Sequence, residues 1–376
     1  MGDALDPKIR GKLMFDRSVS RRMFVAGATA LALAACDRRS GQNQRVSVGI
    51  SPFQDTLLPL FGQSKGWYKE AGLDVDFKIL GWTEIQEALS SGAGNRIDIG
   101  INNESSVIAT YNRNTQLRYL YGFNTFDDGF GLLARGNGGI RPLSTFLAGS
   151  GDRSAAIRAT ALQLKGKTVV TTSNTDMEQG VAAAARQGGL DFKRYIKIVN
   201  LAPDDGLAAF LSGTGDAYIG GLPQRVRGVK EGLVEILTGL DLGPAPINGY
   251  VGTREFWEKS PEVIVKLIET WFRIVTYINQ NLDEGARTIV DILNKNAAGG
   301  FSVDDFKGAW NKTEHFMASA NQVEQEIMSP SGKNYWKRRW DDCNTYFKDV
   351  AGSIPANVTP DQAFLMEQVQ KRLLGS

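Results

Sequence analysis

A helix–glycine–strand phrase occurs twice in the chain and constrains its fold more than any other feature. The first copy runs from Ala88 to Gly100, and the second runs from Ala209 to Gly220. Each copy contains an apolar helix end, a glycine stop, an acidic residue and a short apolar strand. Glycine is favoured after a helix because it accepts the left-handed backbone that other side chains resist. Two copies of one unit predict two similar α/β lobes with a cleft between them.

Hydrophobic periodicity predicts strands that alternate with helices in both lobes. The predicted strands are 46–50, 73–79, 97–101, 118–123, 167–171, 195–199 and 217–219. The predicted helices between them are 57–68, 83–91, 104–112, 176–187 and 204–212. This alternation is typical of mainly parallel sheets with helices on both faces. The glycine-rich segment 136–151 predicts a loop, the apolar stripe of 263–278 a buried helix, and Thr359 to Gly375 a final helix.

The N-terminal segment predicts export from the cytoplasm. Ser20-Arg21-Arg22-Met23-Phe24-Val25 is similar to a twin-arginine signal, and the apolar run after it is too short to span a bilayer. Leu33-Ala34-Ala35-Cys36 is similar to a bacterial lipobox, which predicts cleavage before Cys36 and attachment of lipid to its sulfur. We therefore expect a signal peptide over 1–35 and a polar tether over 36–45. The mature chain would be lipid-anchored at the periplasmic face of the bacterial inner membrane.

The charge balance of the mature chain excludes a general nucleic-acid binder. Residues 1–35 hold six of the 43 basic and three of the 41 acidic residues, which leaves 37 and 38. A near-neutral chain lacks the electrostatic footprint that nucleic acid requires. The segment 336–340, Trp-Lys-Arg-Arg-Trp, could still offer a stacking surface, but a solvated helix face with inward rings fits an exported chain better. Cys343 would be the one thiol left after lipidation, so we expect no internal disulfide.

Several segments resemble the substrate-binding proteins of nitrate/sulfonate/taurine ABC importers. These segments are 65–75, 164–170, 189–191 and the two repeated phrases, and they occur in the family order. The resemblance covers about residues 46–275 and implies a type II periplasmic binding fold, in which two lobes are joined by two crossing strands. We expect 46–135 and 248–376 to form the first lobe and 136–247 the second. We expect the hinges near Gly131–Arg135 and Tyr250–Thr253.

The resemblance also implies a function and a set of partners. Such a protein captures a small solute between its lobes and delivers it to an ABC permease and its ATPase. It needs no cofactor, no metal and no nucleic acid, and we expect it to be a monomer without enzymatic activity. The region after about residue 300 lies outside the resemblance.

Open α/β sheets bind ligands beyond the carboxyl ends of their strands, near helix N-termini. This rule selects candidate residues in both lobes without reference to any family. The candidates of the first lobe are Phe53, Gln54, Asp55, Trp82, Asn102, Asn103, Ser105 and Asn124. Those of the second lobe are Ser173, Asn174, Thr175, Gln224 and Arg225. Free helix amides and an arginine favour an anion, and nearby rings favour an organic body, so a sulfonate-like organic anion is our first expectation.

Alternatives to this interpretation stay open. Thr175 and Glu178 match a capping box, Asn102 and Asn103 fit an Asx turn, and Arg225 could pair with a surface carboxylate. Some related proteins bind pyrimidines or aromatic acids. A pyrimidine synthase shares the broad family, but it relies on histidines. The one histidine here, His315, lies in the predicted helical stretch 310–320, outside the ligand loops. A module that feeds a membrane sensor is a third possibility.

Overall fold

The computed structural model describes residues 43–90, 96–297 and 299–375. The predicted signal peptide and lipid-attachment residue Cys36 lie outside these ranges, as do Gly92 and Gly94 of the first repeat. The first strand begins at Gln44, inside the expected tether, and ends at Ile50.

Two sheets form the framework of the described chain. The first sheet contains β1 (Gln44–Ile50), β2 (Leu73–Ile79), β3 (Ile99–Asn103), β4 (Leu117–Thr125), β10 (Ile247–Thr253) and β11 (His315–Phe316). The second sheet contains β5 (Gly131–Arg135), β6 (Thr168–Thr171), β7 (Lys197–Asn200), β8 (Ala217–Gly220) and β9 (Leu233–Thr238). Their strand orders are β11-β4-β10-β3-β1-β2 and β7-β6-β8-β5-β9. The predicted two-lobe α/β architecture is therefore present.

Helices cover both sheets. Up to β4 they are α1 (Leu58–Ser64), α2 (Trp67–Glu70), α3 (Glu84–Ser90) and α4 (Glu104–Thr110). The second lobe adds α5 (Leu143–Ser150), α6 (Arg153–Leu162), α7 (Asp176–Gln187), α8 (Phe192–Tyr195), α9 (Pro203–Leu211) and α10 (Leu222–Lys230). After β10 come α11 (Arg254–Lys259), α12 (Pro261–Gln280), α13 (Leu282–Asn296), α14 (Val303–Ala309), α15 (Ala320–Val323), α16 (Trp336–Thr345), α17 (Pro360–Ala363) and α18 (Met366–Leu373). None of these helices, within the described ranges, combines the length and apolar character that a bilayer span requires.

Both sheets are more mixed than the sequence predicts. β1 is parallel to β2 and β3, but β10 is antiparallel to β3 and β4. In the second sheet β6 is parallel to β7 and β8, whereas β5 is antiparallel to β8 and β9. The antiparallel strands β5 and β10 are the first strands after the chain crosses between sheets. The first strand after each crossing therefore runs opposite to the strands beside it in the sheet that it joins.

The crossings lie just before the predicted hinge strands. The chain leaves the first sheet after Thr125 and enters the second at Gly131, so 126–130 is the first crossing. It returns through 239–246, between Thr238 and Ile247. Gly131–Arg135, expected in the first lobe, pairs within the second sheet because β5 aligns with β8 and β9. Tyr250–Thr253 likewise lies inside the first sheet, on β10. We therefore expect any hinge motion in the crossing segments and not in β5 or β10, because each of these strands is paired on both sides within one sheet.

The acidic residue of each repeated phrase fixes the start of a neighbouring strand. Asp98 accepts a hydrogen bond from the Ser47 amide at 2.9 Å and donates its own amide to the Ser47 carbonyl at 2.9 Å. Asp216 makes the same two contacts with Thr168, at 2.9 and 2.7 Å. The repeat is therefore one structural unit that joins β3 to β1 in the first lobe and β8 to β6 in the second. Gly213 has φ of +110°, as the predicted glycine stop requires.

Some predicted boundaries are wrong for identifiable reasons. The predicted helix 57–68 is divided into α1 and α2, because Gly66 adopts φ of +77° between them. The predicted loop 136–151 contains α5, which begins after Pro142 and ends before Gly151. α5 has no buried residue, so it leaves no hydrophobic period in the sequence. The final predicted helix is divided into α17 and α18.

The stretch around His315 is a strand and not a helix. Asn311 adopts φ of +56°, and the next residues turn so that His315 and Phe316 pair with Thr125 and Asn124. By contrast, the apolar stripe of α12 is confirmed, since its predicted inward residues are all buried. Trp271, at its centre, packs its ring 3.9 Å from that of Phe123. This helix therefore anchors the first sheet.

Candidate functional site

An inner cavity lies between the two lobes, at the sheet edges that face each other. Its walls are contributed by three sets of residues: Phe53, Asp55, Trp82 and Asn248 from the first lobe, Phe126 and Phe130 from the first crossing, and Asp176, Met177 and Gly221 from the second lobe. Its volume is about 20 Å³, which is room for about one water molecule. An organic solute can therefore enter only when the lobes separate.

An outer groove adjoins this cavity at Trp82. It has a volume of about 340 Å³ and lies between α3 and α4 of the first lobe and the loop Ser173–Thr175 of the second. Nine of its twelve lining residues carry hydroxyl or amide side chains, whereas six of the nine around the inner cavity carry rings or carboxyl groups. The predicted residues Ser173, Asn174 and Thr175 line the groove, and Phe53 and Asp55 line the cavity. Trp82 contributes to both.

Four aromatic rings line the cavity. Phe53 and Trp82 meet edge to face with their centroids 5.6 Å apart. Phe126 and Phe130 make a second such pair at 4.8 Å. The indole Nε1 of Trp82 is buried without a hydrogen-bond partner. The cavity thus offers flat apolar surfaces and one unpaired N–H donor.

Asp55 is the centre of a buried polar cluster at the floor of the cavity. Its carboxylate accepts from Asn248 Nδ2 at 2.7 Å and from Asn124 Nδ2 at 3.4 Å. Burial raises the pKa of Asp55 above its usual value, although the two amide donors oppose this effect. The amide oxygens of Asn124 and Asn248 are buried and unpaired. Of these residues, Asn248 was not predicted from the sequence.

Gln54 connects this cluster to an unpredicted carboxyl group, that of Glu314. The Gln54 amide donates to Glu314 Oε1, and both side chains are buried. Burial, together with the charge of Asp55, holds the pKa of Glu314 well above its usual range. Glu314 lies directly before β11, so the corrected strand carries it to the ligand edge.

Asn103 joins the two lobes across the cleft. Its Nδ2 donates to Asp176 Oδ2 at 2.7 Å, while its Oδ1 accepts from Ser105 Oγ and from the Ser106 amide. It therefore caps α4 and contacts the start of α7 with one side chain. Burial raises the pKa of Asp176 above its usual value. Asn102 is directed inward instead: its Nδ2 donates to the Trp82 carbonyl at 2.9 Å and positions the Trp82 loop.

We expect Asn103→Asp to open the cleft. Aspartate caps a helix as well as asparagine does, so α4 keeps its N-cap. The new carboxylate would face Asp176 at about hydrogen-bond distance, and two like charges there repel. Small-angle scattering should show a larger radius of gyration than for wild type. Asn103→Ala, which removes the contact without adding charge, is the control, and an Asn103→Asp radius no larger than that of the alanine variant contradicts the prediction.

Thr175 of the loop Ser173–Thr175 is the N-cap of α7 as predicted, whereas Glu178 contacts the Asn174 amide and not the Thr175 amide of the predicted capping box. Thr175 Oγ1 accepts from the Met177 amide at 3.2 Å and so caps α7. Glu178 accepts from the Asn174 amide at 2.8 Å and from Ser173 Oγ at 3.2 Å. Asn174 adopts φ of +59°, which directs the loop toward the outer groove. These side chains stabilise the loop and also line the groove.

The two remaining candidates are engaged within the second lobe. Gln224 donates to Asp204 Oδ1 at 2.9 Å, and its own Oε1 is buried and unpaired. Arg225 contacts Glu235 and the carbonyl of Asp128. Its guanidinium thus contacts a carboxylate and the backbone of the first crossing. This agrees with the alternative that Arg225 pairs with a surface carboxylate. We therefore do not retain Arg225 as a ligand contact.

A buried ion pair braces the second crossing. Arg339 Nε contacts Glu104 Oε1 at 2.7 Å, and Arg339 Nη1 contacts the Pro244 carbonyl at 3.3 Å. Glu104 Oε2 also accepts from the Ile247 amide at 3.1 Å. The rings of Trp336 and Trp340 on the same helix are buried, so the interpretation with inward aromatics is confirmed. Arg339 itself is buried, so the basic face of this helix is not fully solvated as that interpretation expected.

The sequence rule missed residues because it considered only the carboxyl ends of parallel strands. Asn248 and Glu314 lie at the amino ends of β10 and β11, which run opposite to β4. In a mixed sheet, such amino ends share one edge with the carboxyl ends of the other strands. Asp176, the first residue of α7, was not among the candidate residues either. No His, Cys, Asp or Glu cluster with metal-binding geometry occurs among the described residues.

Comparison with known proteins assigns the chain to a family. A sequence model of the NMT1-like family matches residues 40–294. The chain belongs to the NMT1-like family. The match stops before the C-terminal helices, so Glu314 and Arg339 lie beyond it. Among curated proteins, none matches the chain.

Solved structures share the fold at low sequence identity. The periplasmic aliphatic sulphonate-binding protein SsuA of Escherichia coli matches with a TM-score of 0.61 and 16% identity, over 85% of this chain and 91% of its own. The periplasmic nitrate-binding protein NrtA of Synechocystis matches with 0.61 and 13%, over 89% of each chain. A Candida albicans protein described as having the generic periplasmic binding protein fold matches with 0.59 and 16%, over 88% and 94%. The chain therefore has the two-lobe periplasmic binding protein fold.

Proposed function

We propose that the protein is the extracytoplasmic solute-binding component of an ABC importer. It captures a small organic solute between its lobes and delivers it to a permease and its ATPase. The observation that carries this proposal is the cavity of rings and polar groups between two lobes that are linked by two short crossings. The twin-arginine and lipobox patterns support an exported, lipid-anchored protein, and both lipid attachment at Cys36 and the monomeric state stay predictions.

The chemistry of the ligand follows less from the related structures than from the cavity. Two neighbours bind a sulphonate and nitrate by their names, which agrees with our first expectation of an organic anion. However, Arg225, the cation that would have added to the free helix amides in that expectation, is engaged with Glu235. The enzyme alternative also lacks support, because His315 contacts Glu326 at 2.8 Å and not the cavity. We retain a small organic solute with a flat apolar body.

We expect Trp82→Ala to lower solute affinity at least about tenfold, since the ring forms a wall of the binding cavity. A thermal-shift screen of sulfonates, nitrate, pyrimidines, aromatic acids and amines would first identify a ligand, because a ligand that binds the native state raises the melting temperature. Titration calorimetry on the variant then tests the site.

Trp257→Ala is the matched control for this variant. Trp257 is as buried as Trp82, at 8% against 9% exposure, but it lies on α11, beyond the opposite end of β10. Both substitutions remove a buried indole and lower stability, whereas only the first removes a cavity wall. Equal affinity of wild type and Trp82→Ala, or equal losses in the two variants, contradicts binding at this site.

A further inference from the structure

We propose that the solute is a protonated amine on a flat apolar body. Its N–H groups bind the Asp55 carboxylate and the free amide oxygens of Asn124 and Asn248, and its body lies between the four aromatic rings. This inference rests on the proposed function, since it concerns the ligand of the same cavity.

The first support is the lack of a counter-charge for Asp55. The side chain is buried, and the contacts of its carboxylate within the described chain are with neutral donors, chiefly the amides of Asn124 and Asn248. Taking a carboxylate out of water without an opposite charge is unfavourable. A cationic ligand supplies that charge and forms the stronger, charge-assisted hydrogen bond.

The second support is the direction of the unpaired polar atoms. Both asparagines donate their NH₂ groups to Asp55, so the groups left over are their carbonyl oxygens. Asn124 Oδ1 and Asn248 Oδ1 are buried without partners, and Asn248 lines the cavity. A carbonyl oxygen accepts hydrogen bonds but cannot donate them. A ligand rich in N–H groups satisfies these atoms, whereas a sulfonate or carboxylate would meet them oxygen to oxygen.

The third support is the balance of charge around the cavity. Glu314 lies near Asp55 at the floor, and Asp176 faces them from the second lobe. Arg339 borders the adjoining space behind Phe126 and Phe130, but it contacts Glu104 at 2.7 Å and Asp342 at 3.7 Å. The charge of Arg339 is thus shared among Glu104, Asp342 and Asp176, whereas the Asp55 carboxylate has only neutral hydrogen-bond donors among the described residues. A negative cavity lined by aromatic faces favours a cation through both Coulomb attraction and cation–π contact.

Four probes with one benzyl or phenyl body separate the possibilities in the mature wild-type chain. Benzylammonium should raise the melting temperature most, because it combines charge with N–H donors. Benzyltrimethylammonium keeps the charge but lacks N–H groups, and benzyl alcohol keeps a donor without the charge, so both should bind more weakly. Benzenesulfonate should cause no shift. A shift with benzenesulfonate alone overturns the amine inference and leaves the proposed function standing, whereas no shift with any probe counts against both.

Asp55→Asn tests the residue at the centre of the inference. The substitution keeps the shape and removes the charge, so benzylammonium affinity should fall at least about tenfold. Asp205→Asn, the same change at an exposed position of α9, should leave the affinity unchanged. Undiminished affinity in a folded Asp55→Asn protein overturns the inference.

Discussion

Replacing Arg339 by methionine should lower the free energy of unfolding by about 3–5 kcal/mol. The substitution leaves Glu104 buried in the first lobe without the guanidinium that contacts it at 2.7 Å. Burial already raises the pKa of Glu104, and Arg339 opposes that effect. Methionine fills a similar volume, so the loss reports the unpaired carboxyl group and not a cavity. Urea denaturation of the mature chain measures the change.

Two further variants decide whether the ion pair is the cause. Lys337→Met removes an exposed charge two residues earlier on α16, where Lys337 contacts only Asp341 among the described residues, so stability should change by no more than about 0.5 kcal/mol. Glu104→Gln combined with Arg339→Met should recover much of the lost stability, because it removes both charges. A loss below about 1 kcal/mol for Arg339→Met would refute the assigned role.

Among substitutions that add one methyl group to β10, Gly249→Ala should lower the stability of the protein most. A Cβ atom there would lie 1.9 Å from the Tyr121 carbonyl oxygen and 2.7 Å from Gly122 Cα. These are backbone atoms of the paired strand β4, so no side chain can move aside. Overpacking typically costs about 1–3 kcal/mol, and we expect this substitution to reach or exceed the upper limit.

Gly308→Ala provides the opposite control for Gly249→Ala. Gly308 is exposed on α14, and an added Cβ meets no atom within 4 Å. Alanine loses less conformational entropy than glycine on forming a helix, so this variant should be more stable by about 0.5–1 kcal/mol. Thermal unfolding of both variants gives the comparison. Equal melting temperatures for Gly249→Ala and wild type would mean that β4 and β10 are not paired as described.

The sequence predicts well where local signals and tertiary contacts agree. α7 has both bounds as predicted, because Thr175 caps it and an amphipathic pattern continues to Gln187. The repeated phrases predict two equivalent units because each carries its own glycine turn and its own acidic residue. Where one signal was absent, the prediction was wrong, as for α5, which buries no residue.

The candidate site shows a different limit. Phe53, Asp55 and Trp82 were accessible to sequence reasoning because they follow parallel strands or their turns. Asn248 and Glu314 depend on strands whose direction is set only after the chain has crossed between the sheets. Pairing across many residues leaves no periodic signal near either position. A search at the amino ends of strands after a crossing would have found both.

The position of α16 also determines how the lobes can move. α16 comes after the chain has returned to the first lobe, yet its Asp342 accepts a hydrogen bond from Gln179 of α7 at 2.6 Å. Its Arg339 donates to the Pro244 carbonyl of the second crossing. These contacts hold the two lobes together on one side of the cleft. When the lobes open, we expect the distance between them to increase least beside α16 and most between Trp82 and Ser173. A solute would then enter from the side of the polar groove and meet the acidic floor last.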